Sequence, residues 1–356
     1  MGKRIVHILI LLISCMFAFQ SCTGQQQDRV VPHVGNSAYY WRTTWQLSDA
    51  ERSFVTNHAI KRIYLRLFDV VQKYEASDVE KQGRLLPMPE ATLHFNEPYD
   101  LACEVVPVVY IMDDCFAADS LLAQKIVRRV AQFCETNDLK WNEVQFDCDW
   151  RESTRGAFFR FLETAKAELA KMGNYRTSAT IRLHQFAQPA PPVDYGMLMC
   201  YNTGYLYDSP NINCILQTSE VKKFAGRLKN YELPLSVGYP VFSWKRLFRN
   251  GKFVALLQGV DLNDTVSFQK CEGNVYRVER SLSVSSPDQS TFGLRLFAGD
   301  TVKYDYVPAD TIMAVKSILE NQRRGIHNQV VIYSLNENDI TKYTRHEIET
   351  IYTTCK

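Results

Sequence analysis

Apolar and polar positions along the chain fall into two rhythms that take turns. Runs that are continuously apolar, or alternate with a period of two, cover residues 60–71, 104–112, 144–150, 178–183, 195–201, 235–239 and 329–334, and each reads as a strand. Residues 120–136, 154–172, 219–229 and 311–322 instead repeat their apolar positions at helical spacing, with Gly173 placed as a C-cap. Strands alternating with helices imply a mostly parallel sheet, closed or wound, with helices outside. Between residues 245 and 308 that rhythm breaks. Turn signals at Arg249-Asn250-Gly251 and Glu272-Gly273-Asn274 separate short alternating runs at 265–268, 275–278 and 293–297. This interval predicts a small antiparallel, β-rich insertion between the last two strands. The length suits one decorated (β/α) barrel rather than two domains.

The first apolar run is of another kind. Lys3 and Arg4 precede an almost unbroken apolar stretch over residues 5–19, followed by Gln20-Ser21-Cys22 and a polar segment. It is short for a membrane span and has the proportions of a signal-peptide core. A cysteine directly after it reads as a bacterial lipoprotein: signal peptide 1–21, lipidated Cys22, and a tether over 22–33. The expected location is the cell envelope, anchored by lipid to a bacterial membrane, the outer one by preference. The plainer alternative is an ordinary cleaved signal with Cys22 a bystander.

Processing changes the charge. Loss of Lys3 and Arg4 takes the 41 basic residues to 39, against 39 acidic ones. A chain near neutrality is a poor candidate for binding nucleic acid by phosphate neutralisation. With Cys15 in the signal and Cys22 as anchor, eight of the ten cysteines remain, and none has CxxC or His/Cys zinc spacing. Export admits one or two disulfides, but spacing does not pair them. There is also no glycine-rich phosphate loop, no G-x-S-x-G and no HExxH. No metal, cofactor or nucleotide is therefore expected.

Chemistry concentrates in residues 144–151. The strand read over 144–150 puts Gln145, Asp147, Asp149 and Arg151 on one face and Phe146, Cys148 and Trp150 on the other. A buried acidic row is costly unless paired or used. Strand C-termini line the mouth of a parallel barrel, where active sites lie. Asp149 and Asp147 are thus the leading catalytic candidates. Glycoside hydrolysis needs an acid of raised pKa and a second carboxylate, and two acids two residues apart would raise one pKa by repulsion. A partner acid could come from Asp69, Asp113, Asp114 or Glu337. The competing reading pairs Asp147 and Asp149 with Arg151, Arg182 or Arg66 in an ionic network. Arg151 would either grip an anionic sugar or serve as a counter-ion. Downstream, Met199, Tyr201 and Asn202 end a strand, His184 ends another, and Tyr239 and Trp244 offer stacking surfaces for sugar rings. Tyr39, Tyr40, Trp41, Trp45, Tyr205, Tyr207 and Phe242 also fall near expected loops and strand ends, where rings at the mouth would stack on sugar faces.

These residues, in this order, resemble the family 18 glycoside hydrolases, the chitinase-like (β/α)8 barrels. Phe146-Asp147-Cys148-Asp149-Trp150 is similar to the middle of that family's D-x-x-D-x-D-x-E strand. Residues 194–202, ending Met199-Cys200-Tyr201-Asn202, resemble its M-x-Y-D strand. Val237-Gly238-Tyr239-Pro240 resembles the G-x-P segment, and Tyr304-Asp305-Tyr306 with residues 330–336 resembles the last helix and strand. The insertion falls where many chitinase-like proteins carry a small α+β domain. The chain departs from the pattern at three acids: Val144 replaces the first Asp, Arg151 the catalytic Glu, and Asn202 the final Asp. The early Ser-x-Gly-Gly is not visible. The pattern also resembles exported lipoproteins of gut-type bacteria, which implies no activity.

Together these readings imply an α/β fold, a (β/α)8 TIM barrel over 34–356 with an insertion at about 245–310, acting on or binding a glycan. Gln145, Met199, Tyr201, Asn202, Arg151, Tyr239, Trp244 and His184 would contact the ligand. Two function classes stay open, a hydrolase using Asp149 and Asp147, and a non-catalytic barrel that captures glycan or protein. A third is a purely structural envelope component. Two carboxyls about 5–10 Å apart across an open cleft would favour hydrolysis. A mouth filled with Arg–Asp pairs would favour capture or structure.

Overall fold

A computed structural model describes residues 30–74, 85–117, 119–284 and 294–353. The expected signal peptide, Cys22, most of the tether and Cys355 lie outside the described residues. Eight parallel strands close into a barrel: β1 Asn36–Tyr40, β2 Ile60–Tyr74, β3 Glu104–Ile111, β4 Glu143–Asp147, β5 Arg176–Ile181, β6 Tyr195–Met199, β7 Leu235–Pro240 and β8 Val330–Tyr333. Closure comes from β1, which pairs in parallel with both β2 and β8. Helices α1 Asp49–Asn57, α2 Leu122–Thr136, α3 Glu152–Ala170, α4 Thr218–Ala225, α5 Ala309–Gln322, α6 Glu337–Ile340 and α7 Arg345–Tyr352 complete the α/β pattern. Ser48 opens α1 with a capping box, its side chain accepting from the amide of Glu51.

The periodic runs account for seven of the eight strands, and β1 is the one they miss. Its five residues are too short for periodicity to register, and Tyr39 and Tyr40 read instead as loop aromatics. Both are fully buried. Neighbours on each side, not local pattern, make this segment a strand.

The insertion forms a five-stranded antiparallel sheet from Trp244–Arg249, Lys252–Leu257, Phe268–Lys270, Val275–Val278 and Thr301–Asp305. Its first hairpin turns at Asn250 and Gly251, both at positive φ, as a tight two-residue hairpin requires. It has its own small core, including Leu247, Phe268, Val278 and Val302.

Inside the barrel the inward residues form polar layers. At the N-terminal end the Arg62 guanidinium contacts Glu104 (2.8 Å) and Glu143 (3.3 Å), and Ser178 Oγ donates to Glu143 (2.6 Å). One layer up, the Tyr39 hydroxyl donates to Gln145 Oε1 at 2.5 Å. The seven described cysteines are free thiols, and Cys148 and Cys200 are buried. No helix among the described residues is long and apolar enough to cross a membrane.

Candidate ligand cleft

Strand β4 stops at Asp147, three residues earlier than its sequence pattern suggests. Pairing to β3 extends through Asp147 and pairing to β5 only through Phe146. Beyond that point the Cys148 amide meets the Thr180 hydroxyl (3.4 Å), and Arg151 becomes the residue capping α3. Period-two alternation ends with the ladder, so the expected four-residue row is broken. Glu143, Gln145 and Asp147 face the interior, whereas Asp149 lies at the mouth beyond the ladder and Arg151 is exposed at the start of α3.

The two leading acids therefore live in different surroundings. Asp147 is 4% exposed and accepts a 2.6 Å hydrogen bond from the Thr180 hydroxyl. Burial raises its pKa, opposed by Arg182 and by the Thr180 hydrogen bond. The Asp149 side chain is 55% exposed and accepts from Arg182 Nε at 2.6 Å. Arg182 also lies over the Tyr201 ring, 5.6 Å from its centroid. Arg151 does not neutralise Asp149: it points outward and donates to Asp113 at 2.7 Å. Arg66 grips Asp69 through two contacts. Glu337 is exposed at the start of α6, where its amide donates to Glu51 (2.8 Å).

A cleft of about 790 Å3 opens at the C-terminal ends of β4, β5 and β6, lined by Asp149, Arg182, His184, Met199, Tyr201 and Asn202. The loop over residues 203–216 forms its far wall, contributing Tyr205 and Asp208. Asn202 sits at φ 53°, a left-handed conformation that asparagine tolerates well. Burial holds the His184 imidazole below its ordinary pKa.

Tyr201 stacks on Tyr333 (4.8 Å between centroids), and Tyr333 meets Trp41 at 5.5 Å. Phe242 bridges Tyr201 (5.6 Å) and Trp244 (5.2 Å). An aromatic floor thus runs across the mouth, half-buried at Trp41, Tyr333 and Trp244.

Two expected ligand contacts are corrected by this geometry. Gln145 is fully buried in the barrel, bonded to Tyr39 and 3.5 Å from the Ser178 hydroxyl, and does not reach the cleft. Tyr239 points outward into the helical layer. Its hydroxyl meets His327 Nε2 at 2.7 Å, and His327 Nδ1 meets Glu320 of α5 at 2.7 Å. Trp244 opens the insertion sheet and touches the mouth through Phe242. Sequence reasoning gave no ligand role to Tyr333, and from the 203–216 loop it offered only Tyr205 and Tyr207 as stacking aromatics. The loop lacks any periodic signal and acquires a place only through tertiary contacts.

No protein-family model matches the chain, and no curated protein matches it in sequence. Solved structures do share its fold. The spore cortex-lytic enzyme SleL of Bacillus megaterium QM B1551 is 12% identical, with a TM-score of 0.51, over 90% of this chain and 75% of that one. A GH18 chitinase from Cycas revoluta in complex with (GlcNAc)3 is 12% identical with a TM-score of 0.51, over 90% and 98% of the chains. The chitinase-like agglutinin of Robinia pseudoacacia is 9% identical with a TM-score of 0.50, over 89% and 98%. Likeness at these identities concerns the fold, a chitinase-like (β/α)8 barrel.

Proposed function

We propose that this chitinase-like barrel captures a glycan at the cell envelope without hydrolysing it. The observation that carries the reading is the arrangement of charge at the mouth. Asp149, Asp113 and Asp69 each accept from a guanidinium, of Arg182, Arg151 and Arg66 respectively. The acid whose pKa burial raises, Asp147, lies enclosed beneath them, bonded to the Thr180 hydroxyl. Hydrolysis needs a carboxylic acid within hydrogen-bond reach of the leaving oxygen. Among the described residues the other acids lining the cleft are also engaged, Asp208 by the Tyr205 amide and Glu220 by Lys223, and Arg151 occupies the position that the resemblance gives to the family's Glu. The aromatic floor and the polar cleft walls suit the apolar faces and hydroxyls of sugar rings. The Cycas chitinase was solved with (GlcNAc)3, and the Robinia protein is an agglutinin, which supports glycan binding as a use of this fold.

The test is a glycan panel screened with a soluble form, residues 28–356, scoring bound ligand and released reducing ends together. Binding without release is expected. Product that disappears in Asp149→Asn would establish a hydrolase instead. Absence of both signals would move the assignment to a protein partner.

Membrane attachment through Cys22 belongs to the same reading, supported by the basic and apolar run that precedes it. Cys22→Ser should shift the protein from the membrane to the soluble fraction. Retention of that variant in the membrane fraction would remove the lipid anchor.

A further inference from the structure

The cleft's far wall is held by a residue from the insertion. Arg246 lies in the strand Trp244–Arg249, and its side chain is 0% exposed, as is that of Asp305. Its Nε donates to Asp305 Oδ2 at 2.5 Å. The remaining fork reaches across to the 203–216 loop: Nη1 donates to the carbonyls of Leu206 (3.0 Å) and Asp208 (2.9 Å), and Nη2 to that of Ile212 (2.6 Å). Asn213 Nδ2 adds a bond to the Tyr306 carbonyl at 2.7 Å. A fully buried ion pair is weak as a stabilising device, since apolar residues of similar volume often serve as well or better. Three backbone carbonyls converging on one planar fork do what apolar packing cannot, because they fix the path of a loop.

That path is tight. A Cβ on Gly204 would stand 2.3 Å from Gln217 Nε2 and 3.1 Å from the Cys214 Cα, so any side chain there would displace Gln217 and press on the backbone where the loop folds back on itself. The next residue, Tyr205, has its amide bound to Asp208 Oδ2 (2.8 Å), yet it is 76% exposed and lines the cleft. A large ring displayed on a pinned backbone has little conformational entropy left to lose when a flat ligand face settles on it.

We propose that Arg246 is the positioning residue of the cleft: through it the β-rich insertion fixes the 203–216 loop and presents Tyr205 as a stacking platform for a pyranose ring. This rests on the reading of the cleft as a glycan site. The insertion then acts on ligand binding chiefly through backbone geometry.

The test uses the full chain in detergent, with amide hydrogen exchange and glycan titration measured on the same samples. Arg246→Lys keeps a cation opposite Asp305 but cannot fork to three carbonyls. Exchange over residues 203–216 should quicken about 10- to 100-fold, as expected for losing charge-assisted hydrogen bonds. Exchange in β4, β5 and β6 should be unchanged, and the dissociation constant for the glycan should rise about tenfold. Asn213→Ala removes the second tie without touching the buried charges. It should give a smaller change of the same kind, and it decides the matter if Arg246→Lys does not fold. Tyr205→Ala should weaken binding about two- to tenfold with loop exchange unaltered. A merely structural Arg246 would quicken exchange across the whole insertion sheet with no excess in the loop, and that result overturns the proposal. Unchanged glycan affinity alongside a loosened loop also overturns it. If the wild-type chain binds no glycan, the function proposed above fails, while the exchange data still report on the clamp.

Discussion

Arg62→Met is expected to lower the unfolding free energy by about 3–5 kcal/mol, the usual cost of removing one member of a buried ion pair. Arg62 and Glu143 are both nearly inaccessible at the N-terminal end of the barrel, and Arg62 also binds Glu104. Methionine replaces the volume and removes the charge, leaving Glu143 with the Ser178 hydroxyl and the weaker influence of Arg176. Burial already raises the pKa of Glu143 and Arg62 opposes it, so the variant should raise it further. A carboxylate with a raised folded-state pKa favours folding most below its unfolded value, about 4.3, and loses that contribution as pH rises through the folded value. The deficit of the variant relative to wild type should therefore be greatest at neutral pH and shrink towards pH 4–5. Urea unfolding of both proteins across that range measures it. A deficit independent of pH would show that lost packing, not the stranded carboxylate, carries the cost.

The second large effect is expected at the mouth. Arg182→Ala should weaken glycan binding at least about a hundredfold, because one guanidinium serves two cleft groups and the buried Asp147 beneath them. It holds Asp149 at 2.6 Å, covers the Tyr201 ring, and lies close enough to oppose the raised pKa of Asp147. The accompanying loss of stability should be about 2–3 kcal/mol, smaller than for Arg62 because the Asp149 end of the pair is solvated. Arg182→Lys should recover part of the stability, since the charge near Asp147 remains, but little of the binding, since the planar fork is gone. Calorimetric titration beside a thermal melt separates the two effects. Wild-type affinity in Arg182→Ala would remove the arginine from the ligand site and with it the proposed charge arrangement.

Much of the architecture was legible from local pattern, because strand and helix periods differ and the segments are long enough to display them. The change of rhythm near residue 245 likewise marked the insertion. The candidate site was legible only in part. The motif around Asp147 and Asp149 located the mouth, yet its geometry depended on where β4 ends, which no periodicity states. One residue more or less of ladder moves every later side chain to the other face. Tyr239 shows the same limit from the other side: it belongs to a strand that ends at the mouth, but its face turns to His327 and the helices.

What the sequence determined by itself was the alternation of β and α units, the β-rich interruption, and the set of polar residues at the strand ends. These are properties of neighbours along the chain, where side-chain period and backbone preference act directly. The tertiary structure alone decided that β1 is a strand, that β4 halts at Asp147, that Asp149, Asp113 and Asp69 are each matched to an arginine, and that a buried arginine of the insertion pins the cleft wall. The Arg182–Asp149 pair spans 33 positions and the Arg246–Asp305 pair 59. Contacts between such distant residues form only in the folded chain, the first beside the ends of β4 and β5 and the second between adjacent strands of the insertion, and burial strengthens the charge interaction most for the fully enclosed Arg246–Asp305 pair.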